Sequence, residues 1–131
     1  MNTILVDHNL EGQAALLWST FATEGWLDLT DFRLVTFAEI GLPFDASDRE
    51  VWRFVQQHQM LLLTGNRNRK GDDSLQQTVE EENHATALPI ITVGNAKRLV
   101  ELEYRKRCAT QLAEIGLYIE TYYGTGRLFI P

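Results

Sequence analysis

The chain alternates short apolar, β-branched runs with longer stretches whose apolar residues recur every three or four positions. Residues 3–6 form the first run and read as a buried strand that stops at Asp7-His8-Asn9. Asn9 is a good helix N-cap, and Leu10, Ala14, Leu17 and Phe21 then come at helical spacing until Gly25 closes the helix. Residues 32–40 read as a second strand, centred on Leu34-Val35-Thr36-Phe37 and broken by Gly41-Leu42-Pro43. Ser47-Asp48-Arg49-Glu50 is a capping box, with Val51, Phe54 and Val55 as the apolar face of its helix. Residues 60–64 are a third buried strand. Asp72 or Asp73 then caps a short helix running to about residue 84. Residues 88–93 are a fourth strand, after which Asn95 caps the next segment. In the long C-terminal helix Cys108, Leu112, Ile115, Ile119 and Tyr122 form one stripe, and Gly124-Thr125-Gly126 turns the chain into a last edge strand over 128–130.

Strands alternating with helices imply βαβ units. The expected fold is α/β: a three-layer sandwich with a central, mainly parallel sheet of four to five strands and helices on both faces. Such sheets bind ligands outside the carboxyl ends of their strands, where the strand order switches. The polar groups expected there are Asp7, His8 and Asn9 after the first strand and Thr64, Asn66 and Asn68 after the third. Asp72 and Asp73 lie just beyond, with Asn95 after the fourth strand and Asp48 at a helix start.

Length and composition narrow the classes. At 131 residues the chain reads as a single domain, 1–131. Its longest apolar runs, such as 60–63, fall far short of a membrane span. The first residues carry no basic flank and have Asp7 in the apolar stretch, so they do not read as a signal peptide. One cysteine, Cys108, rules out an internal disulfide and fits a reducing cytoplasm. A net charge of −6 argues against a bulk polyanion binder. The basic residues are nevertheless concentrated: Arg67, Arg69, Lys70, Lys97, Arg98, Arg105, Lys106 and Arg107 account for eight of the twelve.

Carboxylates and amides without a cysteine or a histidine pair are hard oxygen ligands, suited to Mg²⁺ or Mn²⁺ rather than zinc. Acids around such ions are a usual means of hydrolysing phosphodiesters, and Arg67, Arg69 and Lys70 stand where they could hold a nucleic-acid backbone. Each residue also has a structural use. Asp48 favours the dipole of its helix, Asp72 and Asp73 suit a cap, and Asn66 and Asn95 suit turns. Cys108 and the three tryptophans read as packing residues. The apolar stripe of the last helix runs more than four turns, which a second copy of the chain could help to cover as a homodimer.

Several segments resemble bacterial PIN-like domains of the small, toxin-like class, in an uncharacterised branch. They are Ile4-Leu5-Val6-Asp7-His8-Asn9-Leu10, Ser47-Asp48-Arg49-Glu50-Val51-Trp52, and Met60-Leu61-Leu62-Leu63-Thr64-Gly65-Asn66-Arg67-Asn68. Asp72-Asp73-Ser74-Leu75, Leu88-Pro89-Ile90-Ile91-Thr92-Val93-Gly94-Asn95 and Gly124-Thr125-Gly126-Arg127-Leu128 extend the likeness over nearly the whole chain. The resemblance implies a metal-dependent ribonuclease, with an antitoxin-like protein and RNA as partners. It implies Asp7, Asp48, Asp72 and Asp73 as ligands of Mg²⁺ or Mn²⁺. Asp7, Asp48, Asp73, Asn66 and Asn95 become the catalytic set, the two amides orienting water or phosphate. Asn66 stands where related domains often carry Asp, so a non-catalytic protein-interaction module is the alternative reading. A phosphate binder of the flavodoxin type is a third, disfavoured by the absence of a glycine-rich first loop.

Overall fold

Residues 2–65 and 74–131 are described by a computed structural model. Five short strands, β1 (Asn2–Val6), β2 (Phe32–Val35), β3 (Leu61–Thr64), β4 (Ile90–Val93) and β5 (Arg127–Ile130), form one sheet in the order β2-β1-β3-β4-β5. Every pairing is parallel, and the register places Ile4 beside Leu34 on one side and Leu61 on the other. The helices are α1 (Glu11–Thr23), α2 (Trp26–Thr30), α3 (Phe37–Ile40), α4 (Asp48–Gln57), α5 (Leu75–Glu82) and α6 (Leu102–Leu117). Short 3₁₀ turns lie at His8–Leu10, Ala96–Val100 and Ile119–Tyr122.

The period of two along each strand divides the core. Ile4, Val6, Leu63 and Ile91 point to the face covered by α1 and α6, with Leu17, Phe21 and Leu112 above them. Leu5, Leu62 and Ile90 point to the other face, under Val51, Val55, Leu75 and Val79 of α4 and α5. The chain is thus an α/β three-layer sandwich with an all-parallel sheet. Among the described residues no helix is long and apolar enough to cross a membrane.

Several expected boundaries move, each for a physical reason. The second strand ends at Val35 because Thr36 and Glu39 form a capping box. The Thr36 hydroxyl accepts from the Glu39 amide at 3.3 Å, the Glu39 carboxylate accepts from the Thr36 amide at 3.1 Å, and residues 37–40 become helical. Asn9 does not cap α1. It lies inside a 3₁₀ turn that the Asp7 carbonyl starts by accepting from the Leu10 amide at 2.9 Å. The N-cap of helix α5 is Ser74, whose hydroxyl accepts from the Gln77 amide at 3.2 Å, while Asp72 and Asp73 lie outside the described residues. Strand β4 starts at Ile90 rather than 88. Pro89 has no amide hydrogen to give, and both backbone groups of Leu88 are taken by the Gln56 side chain, at 2.8 and 2.9 Å.

The first part of the C-terminal stripe is covered by the chain itself. Cys108, Leu112 and Ile115 are buried against the sheet, and Ile119 and Tyr122, in the following 3₁₀ turn, pack on the same core. Ile119 and Tyr122 stay partly exposed there, beside the exposed Leu117 and Tyr118. Burial also pushes the Cys108 thiol up to about 11. A buried thiol with so little thiolate at neutral pH is inert. Folded protein is expected to resist iodoacetamide at pH 8 and to react fully once unfolded in denaturant, which mass spectrometry reads directly.

Charges tie α4 to α5. The Arg49 guanidinium donates to the carboxylates of Glu81 and Glu82, and Arg53 donates to Glu82 at 2.8 and 2.9 Å. The hydrogen bond from Arg53, then that from Arg49, holds the Glu82 carboxyl below its ordinary value of 4.5. A carboxyl depressed in the folded state stabilises above its unfolded pKa, and that contribution is lost as pH falls through the folded value. Glu82→Gln is expected to flatten part of the fall in melting temperature below pH 4.5. The effect is modest, since partly exposed pairs contribute about 0–1 kcal/mol.

Candidate active site

In the order β2-β1-β3-β4-β5 the chain steps from β1 to one side and returns to the other, so the switch lies between β1 and β3. The carboxyl ends of these two strands carry Asp7 and Thr64. Asp7 is fixed on both sides of its backbone. Its amide extends the ladder by donating to the Leu63 carbonyl at 2.9 Å, and its own carbonyl starts the 3₁₀ turn. The fully buried Thr64 hydroxyl donates to Asp7 Oδ2 at 2.7 Å, which orients the half-buried carboxylate.

A cavity of about 460 Å³ opens at this point. Asp7, His8, Asn9, Gln13, Asp48 and Thr64 form its polar lining, and Phe37, Phe44, Leu62 and Leu75 are among its apolar lining residues. The volume falls within the range of small-ligand sites, about 300–1,000 Å³. Asp48 reaches it as the first residue of α4, behind the Ser47–Glu50 capping box. Its Oδ2 accepts from the Leu75 amide at 3.1 Å, so the same carboxylate ties the start of α5 to the start of α4.

The structure thus brings Asp7 and Asp48 to one cavity, as the sequence suggests, together with His8, Asn9 and Thr64. Asn95 is exposed and is not among the described lining residues. Its amide instead donates to the Tyr104 hydroxyl at 2.8 Å, and Ala96 takes the lining position. Asn66, Arg67, Arg69, Lys70, Asp72 and Asp73 lie outside the described residues. Among the described residues no group of three or more His, Cys, Asp or Glu is placed to hold a metal ion.

Two contributors are not anticipated by the sequence. Gln13 sits one helical turn after Asn9, so helical spacing could have found it. Phe44 sits between α3 and α4 in a segment without periodicity, and no sequence signal marks it. Its ring stacks on His8 with centroids 4.1 Å apart and planes at 10°. His8 is held in turn by Glu11, whose Oε2 lies 3.1 Å from Nδ1, and tilts against Phe37 at 6.2 Å.

The oxygen donors of Asp7 and Asp48 fit a hard divalent cation. Mg²⁺ keeps several waters and is usually bound by one or two protein carboxylates together with substrate phosphates, so two acids are a sufficient beginning. Comparison of the chain with protein-family models, with curated proteins and with solved structures finds no match.

Proposed function

We propose that the chain is a metal-dependent nuclease of the PIN-like kind that hydrolyses phosphodiesters in RNA. The observation that carries this reading is the meeting of Asp7 and Asp48, from separate elements, on one cavity at the switch between β1 and β3. Asp7 and Asp48 are the residues that would hold Mg²⁺ or Mn²⁺, with Asp72 or Asp73 as the candidate third acid. When bound, such an ion activates water and offsets charge on the phosphate oxygens. The chain's own side chains do the rest. Thr64 orients the Asp7 carboxylate through its hydroxyl, and the amides of Asn9 and Gln13 can donate to a phosphate or a base edge. Asn66 is the candidate for orienting water, and Arg67, Arg69 and Lys70 for holding the backbone. An antitoxin-like protein that covers this cavity belongs to the same proposal, as does a cytoplasmic location.

The alternative, a non-catalytic interaction module, is favoured by one observation: the described residues supply two acids to the cavity and no third. Calorimetric titration of Mn²⁺ into the purified chain, then incubation with RNA with and without chelator, separates the two. Binding heat together with chelator-sensitive cleavage upholds the nuclease. Neither heat nor cleavage overturns it in favour of the module.

A further inference from the structure

Phe44 is out of place for a large apolar residue. It is 59% exposed, whereas Leu10, Phe37, Val51, Leu62 and Leu75, which line the same cavity, are all buried. Its position is nonetheless defined. A turn closed by the Ala46 amide donating to the Pro43 carbonyl at 3.1 Å presents it, and the His8 ring supports one face in near-parallel stacking. His8 itself is held by Glu11 and Phe37. An aromatic ring backed by a second fixed ring, and still largely exposed beside Asp7 and Asp48, is a preformed surface for a third flat ring.

We propose that Phe44 is a stacking platform for a nucleobase, so that the cavity takes single-stranded rather than duplex nucleic acid. The proposal deepens the nuclease reading and rests on it for the phosphate chemistry, though not for the stacking itself. A planar base continues the His8–Phe44 stack, and the polar groups of Asn9 and Gln13 on the same cavity match the donors and acceptors of a base edge better than an apolar protein side chain. In a duplex both faces of each base are already stacked, and reaching Phe44 would require extruding one at a cost of a few kcal/mol.

The test is fluorescence anisotropy with a labelled oligoadenylate RNA, single-stranded or annealed to its complement, in chelator so that nothing is cut. Wild type is compared with Phe44→Leu, which keeps an apolar side chain over His8, and with Phe44→Trp, which keeps a flat ring. Base–aromatic stacking is worth about 1–3 kcal/mol per base, which is about 5- to 150-fold in affinity. Phe44→Leu is expected to weaken single-strand binding by that factor at an unchanged melting temperature, Phe44→Trp to retain it, and the duplex to bind more weakly than the single strand. Equal binding by wild type and Phe44→Leu overturns the proposal, as does a wild type that binds no single strand or prefers the duplex. Cleavage in Mn²⁺ scores the nuclease reading separately. Asp7-dependent cleavage with Phe44-independent binding removes only the platform. Phe44-dependent binding without cleavage leaves the platform and removes the nuclease.

Discussion

Asp7→Asn is expected to lower Mn²⁺-dependent RNA cleavage by about 100-fold or more and to remove most of the heat of Mn²⁺ binding, while leaving the melting temperature within a few degrees of wild type. Losing even an outer-shell partner of a metal ligand costs about 10–100-fold in affinity or activity, so losing the charge of a ligand proposed to bind the metal directly costs no less. The unchanged stability is a matter of hydrogen bonds. Asn keeps an oxygen where Asp7 Oδ2 accepts from the Thr64 hydroxyl at 2.7 Å, and both backbone bonds of residue 7 are untouched by the exchange. The substitution therefore removes charge at the cavity and little else. Asp48→Asn is a less clean probe, because Asp48 Oδ2 also receives the Leu75 amide and so couples α4 to α5. A variant at position 7 that cleaves at the wild-type rate would take the carboxylate out of the chemistry.

The positions of Asp7 and Asp48 are legible in the sequence because a local pattern marks each of them. An acid that ends a run as apolar as Ile4-Leu5-Val6 has few packing reasons to be there, and Ser47 with Glu50 fixes the helix start beside Asp48. The strand–helix alternation is legible for the same reason, since each period of two or of 3.6 is a direct consequence of burying one face. Contacts between distant segments are what escape. Phe44 gains its meaning only from His8, on another element. The switch from strand to helix at Thr36 is masked by the β-branched and aromatic residues around it, although Thr36 and Glu39 have the spacing of a capping box. The helix at Trp26–Thr30 is too short to show a period, and is set off by Gly25 at a φ of 84° and closed by Asp31 at 54°, both left-handed. The stripe of the last helix looks continuous in one dimension, but the helix ends at Leu117 and Ile119 and Tyr122 pack on the core, partly exposed, from a following 3₁₀ turn.

One substitution type at two glycines is expected to change stability in opposite directions. Gly12→Ala, in the first turn of α1, places a methyl group with nothing within 4 Å, so it gains helix propensity at no packing cost. That gain is at most about 1 kcal/mol. Gly116→Ala, near the end of α6, gains a similar propensity but places its Cβ 2.3 Å from Phe32 Cζ and 2.5 Å from Cε2. The ring has little room to retreat. Phe32 is buried at the start of β2 and lies against Phe21, at 6.0 Å between centroids, and Phe21 is itself fully buried and stacked on Trp18 at 4.9 Å. Relief requires either α6 to lift from the sheet or a row of aromatic rings to move. Overpacking of this kind costs about 1–3 kcal/mol and at times more, and with so stiff a neighbour the upper part of that range applies. After the propensity gain is subtracted, Gly116→Ala is expected to be destabilised by about 1–2 kcal/mol, a melting temperature lower by roughly 4–7 °C. Differential scanning calorimetry of the two variants beside wild type measures both signs at once. A Gly116→Ala protein as stable as Gly12→Ala would mean that α6 does not sit this close to β2.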